Sequence, residues 1–97
     1  MSTYIMLSNW TDQGIRHVKE SPDRLEAARQ LCRQHGAEIT AFYMTIGAYD
    51  MAIIIEAPNE EAFARLAISI AKGGNIRTTT LKAFGEDNYR MIIGSVG

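Results

Sequence analysis

The chain has 97 residues, 46% apolar and 22% charged, with a formal net charge of −1 and a pI of about 6.1. That balance implies no basic face for nucleic acid or anionic lipid, so neither is expected as a partner, and a single cysteine, Cys32, excludes an intrachain disulfide framework. One domain, 1–97, is expected, without a membrane span or leader pattern, which makes a cytoplasmic protein the default.

Thr3 to Trp10 is rich in β-branched and aromatic residues and reads as a first strand. Thr11 or Asp12 can cap the helix that follows, where Ile15 and Val18 share a face. Ser21-Pro22-Asp23 then restarts the helix, with serine at a cap and proline at the first helical position. One kinked helix and two short ones both fit. Leu25, Ala28, Leu31, Cys32 and His35 continue one broad face until Gly36 stops it.

A second strand is expected from about Glu38 to Ile46 and a third from about Tyr49 to Ala57, joined by a tight reversal at Gly47-Ala48, where glycine admits a positive φ. Pro58 and Asn59 end the third strand and cap a helix in which Phe63, Leu66, Ala67 and Ile70 fall at i, i+3, i+4, i+7. Gly73-Gly74 terminates that helix, and Asn75 to Phe84 is the fourth strand. Glu86 to Ile93 has helical potential before the Gly94-Ser95-Val96-Gly97 end.

The order βαββαβ with right-handed crossovers implies an α+β, ferredoxin-like sandwich: both helices on one face of an antiparallel sheet, strand order 4-1-3-2. A two-layer domain should then be polar on the helix-free face. Here the strands are apolar on both sides: Tyr4, Met6 and Trp10 alternate with Ile5 and Leu7, and Met51, Ile53 and Ile55 with Ala52 and Ile54. On the second strand Ile39, Ala41 and Tyr43 are expected to share one face. A second copy packed sheet to sheet is the expected cover, giving a homodimer or larger homo-oligomer.

The stretches Asn9-Trp10-Thr11-Asp12-Gln13-Gly14, Ser21-Pro22-Asp23-Arg24, Gly47-Ala48-Tyr49-Asp50, Glu56-Ala57-Pro58 and Asn75 to Phe84, in this order along nearly the whole chain, resemble the GYD domain family. The resemblance implies membership of the dimeric α+β barrel superfamily. That superfamily includes cofactor-independent monooxygenases, muconolactone-isomerase-like and haem-degrading enzymes, and effector-binding domains. Fold analogy of this kind does not choose among activities.

The residues offer several candidates for chemistry. Tyr49 and Asp50 follow the reversal; as strand neighbours they would point to opposite faces. Asp50 can serve a ligand or hold turn amides or Arg77, and leaving its carboxylate buried and unpaired would be expensive. His17 can act as a general base or sit at the solvent edge of its helix, and His35 suits a helix C-terminus. With only these two histidines and no third ligand at metal spacing, no metal is expected. Trp10, at the strand-to-helix junction that in superfamily members often lines the cavity mouth, can clamp an aromatic substrate or fill the core. Tyr4 and Tyr43 are further pocket candidates, and Arg77 can grip a carboxylate or pair with Asp50 or Glu56. No nucleophile–base–acid triad, phosphate loop or dinucleotide turn is present, and no cofactor is expected. The leading expectation is a small-molecule-binding domain for an aromatic or carboxylated ligand, through Tyr4, Trp10, His17, Tyr43, Tyr49 and Arg77. One alternative is a cofactor-independent oxygenase- or isomerase-like enzyme with His17 or Asp50 as base; the other is a purely structural assembly module.

Overall fold

Strict alternation along two strands sets the frame of the molecule, which a computed structural model describes over residues 1–97. In β1 (Ser2–Trp10) the buried residues are Tyr4, Met6 and Ser8; in β3 (Met51–Ala57) they are Met51, Ile53, Ile55 and Ala57. These rows share one face with the helices, because they form a single core with Phe63 and Leu66 of α3 (Glu60–Ala71) and Cys32 of α2 (Ser21–Gln34). β2 (Glu38–Met44) and β4 (Ile76–Ala83) complete the sheet. All pairings are antiparallel and the order is β2-β3-β1-β4, the expected ferredoxin-like 4-1-3-2 read from the other edge.

The first helical region is split. α1 (Asp12–Arg16) is capped by Thr11, whose side chain accepts from the Gly14 amide; a 3-10 turn, Val18–Glu20, follows, and α2 begins at Ser21 with Pro22 in its first turn. Ser21 is already helical and Glu20 holds the cap position without a side-chain bond, so proline, whose missing N–H costs nothing there, marks this start better than the serine does. Gly36, at φ 72°, closes α2 in a left-handed turn.

Two departures from the expected strands have physical causes. The register of β2 against β3 slips between Ile39 and Ala41, so Thr40 is an extra residue in a bulge. Ile39 therefore shares its face with Phe42 and Met44, whose partners Ile53 and Met51 point to the helices, while Ala41 and Tyr43 lie on the helix-free side. The central connection is also longer than a tight reversal, since β2 ends at Met44 and β3 starts at Met51. The Asp50 amide is drawn out of the β2 ladder towards β1, donating to Ser8 O at 2.9 Å and Asn9 Oδ1 at 3.0 Å. Thr45 closes the loop by donating from N to Asp50 O (2.8 Å) and from Oγ1 to Tyr49 O (2.6 Å). Gly47, at φ 140°, sits at its tip as expected.

β4 leads through Phe84 and Gly85 into α4 (Glu86–Gly94), which makes no sustained contact with the rest of the chain. The molecule is elongated as a result, 51 by 31 by 18 Å. No helix is long and apolar enough to cross a membrane.

Candidate ligand-binding site

The β1–α1 junction is locked to the α3–β4 loop by four hydrogen bonds. Thr11 donates from N to Asn75 O (3.0 Å) and from Oγ1 to Gly74 O (2.6 Å); Gln13 Nε2 donates to Gly73 O (3.1 Å) and Asn75 Oδ1 (3.0 Å). The loop approaches so closely that a Cβ on Gly14 would stand 1.9 Å from Asn75 O, so only glycine fits. From the other side Asp50 accepts the Trp10 amide proton on Oδ2 at 3.0 Å. The end of β1 is thereby fixed from both sides.

Beside this junction, α2 does not close fully on the sheet. A cavity of about 230 Å³ lies between them, with Met6, Ile53 and Ile55 as its floor, Leu25, Ala28 and Leu31 as its roof and Phe42 as a wall. A second lobe runs from Leu25 and Phe42 to Trp10, Val18 and Met44. The engineered apolar cavities that take up benzene are about 150 Å³ and drug-sized pockets begin near 300 Å³, so the first lobe suits a molecule a little larger than benzene, and the second, at about 290 Å³, one of similar or greater size.

Polar groups are few here. Arg24, from the first turn of α2, contributes to the lining together with Ser21, Ser69 and Asn75. Its guanidinium donates from Nη1 to His17 O (3.0 Å) and from Nη2 to Gly14 O (3.2 Å), which fixes its position and leaves other N–H groups free to donate. Two buried atoms on the helix-facing row of β1, Trp10 Nε1 and Ser8 Oγ, have no protein hydrogen-bond partner.

The sequence-predicted residues are spread over the molecule. Trp10 lies in the second lobe. Tyr4 is buried on the same sheet face but stacks on Phe63, ring centroids 4.0 Å apart, with its hydroxyl unpartnered. His17 is exposed at the end of α1, Nδ1 3.1 Å from Gln13 O. Tyr49 and Asp50 precede β3 in the loop rather than occupying it, so the strand rule that opposed their side chains does not hold. Tyr43 and Arg77 belong to the helix-free face, Arg77 opposite Asn9 in the β1–β4 register, and Arg77 forms no ion pair with Asp50 or Glu56. Glu56 instead accepts from Thr3 Oγ1. Arg24 is the residue that sequence reasoning missed. Its signal was helical spacing, because it stands one turn before Ala28 on the inner face of α2. No three His, Cys, Asp or Glu side chains gather into a metal-holding group.

Fold and register define a ferredoxin-like α+β domain. Its structural neighbours include a feast or famine regulatory protein from M. tuberculosis complexed with L-methionine, at TM-score 0.68 and 16% identity, covering 88% of this chain. This chain spans about half of that protein, 51% of its length. A Thermus thermophilus protein aligns at TM-score 0.57 and 20% identity, over 88% of this chain and 95% of that one. The chain belongs to the GYD domain family, whose model matches residues 4–93. A relative from Thermus thermophilus, described as a glutamine synthetase and cystathionine beta-lyase binding protein, is 34% identical over 84 residues, 86% of this chain and 88% of its own length.

Proposed function

We propose that this chain is a homodimeric binding domain that holds a small carboxylate-bearing molecule with an apolar body in the cavity beneath α2. The observation that carries the reading is the combination of an apolar cavity of about 230 Å³ with one guanidinium, that of Arg24, at its lining. The apolar body meets Leu25, Leu31 and Phe42, and the carboxylate takes the free donors of Arg24 in a charge-assisted bond. Trp10 Nε1, unpartnered beside the second lobe, is available to a further acceptor. Dimerisation is supported by the helix-free face, where Ile5, Leu7, Ile54, Leu81 and Tyr43 are not covered by any element of the chain.

Calorimetric titration with L-methionine, L-leucine and phenylacetate tests the site. At least one is expected to bind, with stabilisation of about 2.7 kcal/mol at a hundredfold excess over Kd. Ala28→Leu, which fills the cavity roof, is expected to abolish that binding while the fold is kept. Binding unchanged in this variant would remove the cavity from consideration.

The relative's description favours a second reading, in which the dimer docks on metabolic enzymes. Surface plasmon resonance against purified glutamine synthetase and cystathionine β-lyase decides it: saturable binding supports docking, and a flat response to both disposes of it.

A further inference from the structure

We propose that α4 of each copy packs its apolar stripe on the other copy, so that the dimer interface consists of the helix-free sheet face and a reciprocal pair of C-terminal helices. The inference rests on the homodimer reading above. Tyr89, Ile92 and Ile93 fall at i, i+3 and i+4 of α4 and are all exposed, with Val96 continuing the row just past its end. Glu86 heads the same row, three residues before Tyr89, and is held by Arg90, whose Nη2 is 2.7 Å from Glu86 Oε2, while Asp87 and the exposed Met91 lie on the opposite side. The helix is thus amphipathic with nothing against its apolar side.

A second copy is the cover on three physical grounds. First, α4 has nine residues, and a helix of that length without tertiary contacts is marginal in water. Its formation calls for a packed surface, and within its own protomer it packs on none: the radius of gyration is 14.6 Å, against about 12.5 Å for a closed domain of this length. Second, only Phe84 and Gly85 separate α4 from β4, an edge strand whose Leu81 is exposed on the helix-free face, so the helix starts at the border of that face. A second copy seated on the sheet face is therefore within reach of the helix. Third, the sheet face alone is small. Four strands of this length offer about 950 Å² from two copies together, at the low end of the range for specific interfaces. Two reciprocal helices raise the total to about 1,500 Å², the standard size. Two-fold symmetry makes the exchange mutual, since what one helix covers on its partner the other covers in return.

Sedimentation velocity on the full chain and on Ile93→Glu tests this. Ile93 is exposed in the protomer, so the charge should leave folding intact by circular dichroism. The dimer dissociation constant is expected to rise by on the order of 100-fold or more, as two apolar side chains, one per copy, leave a packed contact. A dimer of unchanged affinity overturns the role of α4 and leaves the sheet-face dimer standing, whereas a wild-type monomer at 100 µM overturns both. Amide exchange over residues 86–94 gives a second readout. Protection in the wild type that is lost in a monomeric Ile54→Asp variant supports the exchange of helices; protection kept in that monomer overturns it.

Discussion

At the scale of single residues, the stability of the β1–α1 junction rests on a few close contacts. Gly14→Ala must displace the Asn75 carbonyl or α1 itself, and because that loop is held by four hydrogen bonds the loss is expected to reach about 1–3 kcal/mol in chemical denaturation. Asp50 is expected to matter through the Trp10 amide. Asp50→Ala leaves that donor without its acceptor and should cost about 1–3 kcal/mol, while Asp50→Asn, which keeps an accepting oxygen, should cost less. Equal melting of both variants with the wild type would show that the bond contributes nothing. Cys32 is fully buried, and burial pushes its thiol up from 9.0 to about 11, with Glu38 adding to the rise. The sign follows from which state ionises first. Below pH 9 both states hold the proton; between 9 and 11 the unfolded chain releases it and the native one does not, so stability falls as pH rises, by at most about 1.4 kcal/mol per unit. Cys32→Ala is expected to flatten this slope, and the native thiol should stay unreactive to a disulfide reagent at pH 8 until the protein unfolds.

At the scale of elements, α3 shows how local chemistry and packing agree. Asn59 Oδ1 accepts from the Ala62 amide at 2.9 Å, and Phe63 and Leu66 bury one turn and two turns further on. Asn59→Ala is expected to lower stability by about 1 kcal/mol, and Asn59→Ser to restore most of it. Caps, glycine stops and period-3.6 or period-2 runs are written in consecutive residues, which is why α3, β1 and β3 were legible in the sequence almost to their ends. Features set by partners distant in the chain were not. The Thr40 bulge exists because β2 pairs with β3 in a shifted register, and no property of Thr40 announces it. The longer central loop exists because Asn9 and Ser8 capture the Asp50 amide. Aromatic residues drew attention to Tyr43 and Tyr49, yet the cavity is shaped by the stand-off of α2 from the sheet, and its cation comes from Arg24.

At the scale of the whole molecule, the sheet behaves as two surfaces with opposite obligations, and neighbouring positions of one strand separate them. Ile53 points to the helices and is 8% exposed; Ile54 points away, between Ile5 on one side and Ala41 on the other. An aspartate at 53 is buried without a partner in the core, so Ile53→Asp is expected to unfold the protomer. An aspartate at 54 reaches solvent in a free protomer and is buried only if a second sheet covers it. Ile54→Asp is therefore expected to keep its circular dichroism spectrum and to sediment as a 10.8 kDa monomer. It should also lose the dependence of melting temperature on protein concentration that a dimer of the wild type requires. Met6, equally apolar in sequence, cannot serve in this test, because it is fully buried under the helices and a charge there attacks the core instead. If Ile54→Asp instead retains the wild-type sedimentation coefficient with the wild type dimeric, the copies meet elsewhere, and the helix-free face must be assigned to a different partner.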